Sequence, residues 1–209
     1  MTNLRNRNLF KLFFLSSLLL GIFKISLGFA NSRCKLNSIS EVDSQLYVNG
    51  RLTNSQTESL DALNSCYQKF LSLEDTAKSQ LIIFKIIKCI ESVTEENLIL
   101  SNSLFYVGHF YATQGNYSEA LRWLIKSQSI RDKLNCFDET YCKCLYSASV
   151  AYFNLGDFKN MESITLKCID KLTVNQPSLI LFKCYSNLVT AYFGLNEYSK
   201  AIDNGITAL

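Results

Sequence analysis

From Leu60 onward the apolar residues recur every three or four positions, the spacing of one buried helix face, and short polar breaks separate the runs. The clearest unit is Leu104 to Lys126, which reads as two amphipathic helices joined by a tight turn. Gly108 and Ala120 are small where the two helices must approach closely, and larger apolar residues fill the space on either side. The turn Tyr111-Ala112-Thr113-Gln114-Gly115-Asn116-Tyr117 is echoed by Tyr152-Phe153-Asn154-Leu155-Gly156-Asp157-Phe158 and by Tyr192-Phe193-Gly194-Leu195-Asn196-Glu197-Tyr198. The three anchor tyrosines are thus 41 and 40 residues apart. A fixed period of that size marks a stack of helical hairpins. Gly or Asn closes each first helix, as the left-handed conformation after a helix requires, and an aromatic opens the next. Asn116 and Glu119 have the spacing of a capping box. An antiparallel bundle would share the amphipathic pattern, but not the threefold recurrence of the turn.

These residues resemble the tetratricopeptide repeat family, whose pattern places W-x2-L-G-x2-Y on the first helix and A-x3-F on the second. Leu104, Val107, Gly108 and Tyr111 match the first part, and Ala120 and Leu124 the second, while Asp132 stands near the place of the closing proline. Leu145, Ala148, Ser149, Tyr152, Met161 and Thr165 occupy these places in the next copy, and Tyr185, Leu188, Val189, Tyr192, Ala201 and Gly205 in the last. The resemblance runs from Leu98 onward and is closest to the long-period variants of kinesin light chain and bacterial signalling proteins. It implies an all-α, right-handed α-solenoid of stacked antiparallel hairpins. The repeats expected are 94–135, 138–174 and 176–209, with Thr94 to Asn97 opening the first, Asp138 capping the second and Pro177 in the first turn of the third. Ahead of them, 57–93 reads as a degenerate hairpin split at Leu73-Glu74-Asp75, without the diagnostic glycine, as suits a terminal repeat.

Residues 1–30 have the layout of an export signal. A basic start at Arg5, Arg7 and Lys11 precedes the apolar run Leu12 to Phe23, and Gly28-Phe29-Ala30 offers a cleavage site. Retention as a membrane anchor through residues 12–30 is the alternative. The expected location is therefore outside the cell or in the periplasm of a bacterium. Residues 31–56 read as a polar tether, with a short helix near Glu41 to Val48 and a turn at Asn49-Gly50.

The formal charge of +3 comes from the signal. Residues 1–30 hold four of the 21 basic residues and no acid, which leaves 17 basic against 18 acidic side chains and no overall electrostatic case for nucleic acid. His109 is the only histidine, so a histidine-based catalytic pair or multi-histidine metal site is excluded. It reads as an exposed helix residue. The eight cysteines all follow residue 30, an arrangement that in an exported chain invites disulfides. Cys142 and Cys144 point to opposite sides of one helix. Cys144 and Cys184, 40 residues apart, are the expected near neighbours, and Cys168 reads as a buried thiol. Asn116-Tyr117-Ser118 is a glycosylation sequon that reads as a plain cap. Lys85 with Lys88, and Arg122 with Lys126, read as solvated faces. No phosphate loop, nucleophile elbow or paired-carboxylate motif occurs, and no enzyme activity, metal or cofactor is expected.

In tetratricopeptide proteins the first helices line a concave groove for an extended peptide or a partner helix. That resemblance puts Asn102, Phe105, His109, Lys143, Tyr146, Phe153, Asn154, Lys183, Thr190 and Phe193 along the groove. Phe105 and His109 stand where the family's carboxylate clamp needs Lys and Asn, so acidic chaperone tails are not the expected ligand. The expected role is a non-catalytic interaction scaffold for a protein partner, with self-association through the C-terminal edge at Ala201, Ile202, Ala208 and Leu209 expected because no polar closing helix follows. The alternative is the sensor part of a bacterial signalling or caspase-like protease system, as a truncated relative of a longer protein.

Overall fold

The computed structural model describes residues 47–48, 51–52, 56–91, 93, 95–172 and 179–208. The signal, Cys34, Thr94 and Pro177 lie outside them. Two strands, β1 (Tyr47–Val48) and β2 (Arg51–Leu52), pair antiparallel with Tyr47 opposite Leu52. The helix expected near Glu41 to Val48 therefore does not include Tyr47 and Val48, and the rest of it lies outside the described residues.

Eight helices follow among the described residues: α1 (Gln56–Ser72), α2 (Thr76–Ile90), α3 (Leu98–Thr113), α4 (Tyr117–Lys133), α5 (Glu139–Leu155), α6 (Phe158–Lys171), α7 (Leu179–Gly194) and α8 (Tyr198–Thr207). They form four antiparallel hairpins stacked in chain order. Each first helix packs on its own second helix, on the second helix of the preceding hairpin and on the preceding first helix. Contacts between successive second helices are sparser, so the first helices form the inner, concave layer and the second helices the outer one.

The turns share one chemistry. Side-chain oxygens of Asp75, Asn97, Asn116, Asp138 and Asp157 accept the orphan amide three residues on, at 2.9–3.3 Å, and so start α2 to α6. Asn97, not Thr94, caps α3, so that helix begins at Leu98. Asn116 makes only half of a capping box, because the Glu119 carboxylate turns to Arg122 and to the Trp123 indole. At the other end of each first helix, Glu74, Gly115, Gly156 and Asn196 take the left-handed conformation, with φ of 57, 76, 76 and 64°. The next amide then donates to a carbonyl five residues back: Asp75 to Phe70, Asn116 to Tyr111, Asp157 to Tyr152 and Glu197 to Tyr192, at 2.8–3.0 Å. Phe70, 41 residues before Tyr111, is the missing anchor, so the first hairpin obeys the same rule with Glu74 in the glycine place. A glutamate there is strained by about 1 kcal/mol. Glu74→Gly is expected to raise the urea midpoint by a comparable amount, whereas Gly156→Ala should lower it.

The core runs the length of the stack. Leu60, Leu63, Ile82, Ile83 and Ile86 are fully buried in the first hairpin and continue through Val107, Leu124, Leu145, Met161 and Leu188. No disulfide joins the seven described cysteines to one another. Cys184 packs with Cys142 and Cys168, not with Cys144 as its spacing implied. Cys142 and Cys144 face opposite sides of α5: Cys144 looks back to the Leu124 carbonyl (3.2 Å), and Cys142 looks forward to α6 and α7. At the last hairpin Ala201 is buried while Ile202 is 63% exposed.

The concave face as a candidate binding site

A step of one repeat carries a residue to the matching place on the next first helix, so the groove positions form rows across α3, α5 and α7. The first row is Asn102, Lys143 and Lys183. Asn102 is half-buried, and its side-chain oxygen accepts from Arg131. Lys143 pairs with Glu139 at 2.9 Å. Lys183 lies over the Tyr146 ring with its ammonium 5.4 Å from the centroid, and burial lowers its pKa. Tyr146, half-buried, has its phenol pushed up to about 12 by burial. Desolvated in this way, Lys183 and Tyr146 carry a cation and an aromatic face with little water between them.

The remaining positions divide. Phe105 is buried at 7% exposure, with its ring 5.4 Å from Tyr106 and 6.1 Å from His109, and belongs to the core rather than to an open groove. Thr190 is likewise buried, its hydroxyl donating to the Ser186 carbonyl. Phe153 is half-buried near Phe158, and Asn154 is exposed. Phe193 is 46% exposed and meets Tyr198 edge-on at 5.5 Å. Open to a ligand, therefore, are Lys143, Tyr146, Asn154, Lys183 and Phe193. Sequence reasoning missed Leu179 and Phe182, exposed on the same helix as Lys183, because the unbroken apolar run Leu179 to Phe182 gives no periodic cue.

His109 corrects a second expectation. It is half-buried against Phe105 rather than exposed, and burial lowers the imidazole pKa. A depressed histidine pKa means that the unfolded chain binds the proton more tightly, so stability is full above the unfolded value near 6.5 and falls as pH drops below it. The loss of stability between pH 7 and 5 is expected to be smaller in His109→Gln than in the wild type when urea midpoints are compared.

Aromatic faces beside two ammonium groups suit a partly apolar, weakly anionic ligand. Among the described residues no group of three potential metal ligands comes together, and no helix is long and apolar enough to cross a membrane. No protein-family model matches the sequence, and no curated protein matches it. Solved structures do. The chain is similar to BtubC (BKLC) from P. vanneervenii, with a TM-score of 0.68 at 10% identity over 81% of this chain and 68% of that one. It is also similar to the nearly identical TPR-like repeats of a P. anserina protein assigned as a kinesin light chain, with a TM-score of 0.60 at 13% identity over 75% of this chain and 76% of that one. By fold, this chain is a helical-repeat protein of the tetratricopeptide type.

Proposed function

We propose that the protein is a non-catalytic interaction scaffold whose concave face holds a peptide or partner helix. The observation that carries this reading is the alignment of Lys143, Lys183, Tyr146 and Phe193 on the inner layer. Residues on one helix could serve packing alone; a cation–aromatic surface continued from α5 to α7 offers a strip along which an extended ligand can lie. Affinity capture from the native host, followed by mass identification, tests it. A partner retained by the wild type and lost by Lys183→Glu with Phe193→Ala supports the scaffold. Identical partner sets for both proteins reject this face.

Residues 1–30 are proposed to direct export, on the strength of their basic start, apolar run and small-residue cleavage site. N-terminal sequencing of protein from the native host is expected to begin at Asn31. Intact Met1 on membrane-bound protein would replace cleavage with anchoring. Self-association through the last hairpin is also proposed, supported by the exposure of Ile202, and light scattering over a concentration series reads it.

A further inference from the structure

Cys142, Cys168 and Cys184 are all buried and share one cluster with Tyr141 and Leu145. Three successive helices, α5, α6 and α7, each supply one of these thiols. A single buried thiol packs as a small apolar side chain and needs no further account. Three that converge from three helices place oxidisable groups against one another. Across the contact of α5 and α6, the Cys168 sulfur lies 3.7 Å from the Cys142 carbonyl oxygen. The Cys168 thiol beside it, and then burial, hold the Cys142 thiol well above its ordinary pKa. The other described cysteines are engaged elsewhere. Cys144 meets the Leu124 carbonyl on the far side of α5, Cys136 lies beside Arg131, and Cys66 and Cys89 belong to the core of the first hairpin.

We propose that Cys142 and Cys168 are an oxidisable pair, joined by a disulfide that staples α5 to α6. A disulfide needs its two Cα atoms within about 7 Å, and a sulfur resting against the carbonyl of its own partner residue makes an approach of that kind. Cys168 can bond to one sulfur only, so Cys184 stays a thiol. Bond formation removes two thiol protons and two electrons, and a disulfide oxidant takes them up. One cysteine attacks the oxidant as thiolate and releases half of it as a thiol; the second cysteine then displaces the other half from the mixed disulfide. The attacking species is the thiolate, so a buried pair with a raised pKa reacts slowly once packed. The bond therefore forms as the hairpin folds, and the closed core then shields it from reductants. In the cell such oxidants act outside the cytosol, so the occurrence of the bond in the host rests on the proposed export, while its chemistry does not. Cys142 directly precedes Lys143, so the bond would also anchor the helix that carries Lys143 and Tyr146 to the outer layer.

Refolding of the full chain in a redox buffer tests the proposal. The reduced protein is unfolded in urea and refolded at mildly alkaline pH with reduced and oxidised glutathione. Free thiols are then alkylated, and the bonds are mapped by mass spectrometry of peptides. A bond between Cys142 and Cys168 is expected, with Cys184 alkylated only after unfolding. Without prior unfolding, the same buffer is expected to link the pair about tenfold more slowly. Oxidation is expected to raise the urea midpoint, because a crosslink restricts the unfolded chain, and the gain should be smaller in Cys142→Ala. Cys168 recovered as a thiol, or joined to Cys184, overturns the proposal. So does a bond between Cys142 and Cys168 that lowers the midpoint, which would show that the core has to be strained to accept it. The refolding is done outside the cell, so a native protein that keeps Met1 would count against export alone and leave these results unchanged.

Discussion

Asp138→Ala is expected to cost about 3–5 kcal/mol of stability, the usual result of stripping a buried charge of its partner. The charge in question belongs to Arg131, near the end of α4, which is 1% exposed. Its guanidinium reaches Asp138 at the start of α5 and the side-chain oxygen of Asn102 on α3, while Nε has no partner. One side chain thus joins three helices across a hairpin boundary. Asp138 also caps α5 through the Tyr141 amide at 2.9 Å. Removing it loses the cap and leaves the guanidinium buried with only neutral partners, the Asn102 side-chain oxygen and the Cys136 sulfur. Asp138→Asn keeps the cap and should cost less. Arg131→Met should be milder still, because an apolar side chain of similar size replaces the buried cation while Asp138, 47% exposed, returns to water. Urea midpoints at unchanged m-value give the order. If Arg131→Met proved the most damaging of the three, packing rather than charge would be the function of Arg131.

The second large effect is at the contact of α3 and α4. A methyl group on Gly108 would lie 2.7 Å from Leu124 Cγ, 2.9 Å from its Cδ2 and 3.1 Å from the Ala120 carbonyl oxygen. Leu124 is fully buried and the backbone of α4 cannot retreat alone, so Gly108→Ala is expected to cost about 1–3 kcal/mol by overpacking. Leu124→Ala is expected to cost about 2–5 kcal/mol by opening a cavity. The double variant should cost less than the sum, because the alanine methyl moves into space that the leucine leaves. Strict additivity would show that the helices part independently of this contact.

Both effects bear on how much the sequence revealed. The turns were legible because a left-handed residue narrows the choice of side chain, and Gly115, Gly156 and Asn196 announced it. Glu74 adopts the same conformation without announcing it, which is why the first hairpin read as degenerate. The close approach at Gly108 was legible for a similar reason: a missing side chain is visible in a sequence. The phase of the inner layer was legible only in part. The segments that became α3 and α7 are apolar around most of their circumference, so periodicity did not distinguish the buried Phe105 from the open positions of its row. Arg131 gave no signal at all. A basic residue in the last turn of a helix suits the helix dipole in water, and only the fold brings Asn102 and Asp138 to it. The pairing of Cys184 with Cys142 and Cys168 depends likewise on which side of α5 faces forward, a property of stacking rather than of spacing.

A photo-crosslinking amino acid placed at Phe193 on the inner layer, and for comparison at Ser118 in the first turn of α4, gives the most direct test that the concave face binds a partner. Both side chains are exposed. In the native host, Phe193 is expected to yield one discrete crosslinked protein that Lys183→Glu abolishes, while Ser118 yields none. The same crosslinked protein from both positions, or a product at Phe193 indifferent to Lys183→Glu, would contradict binding in the groove.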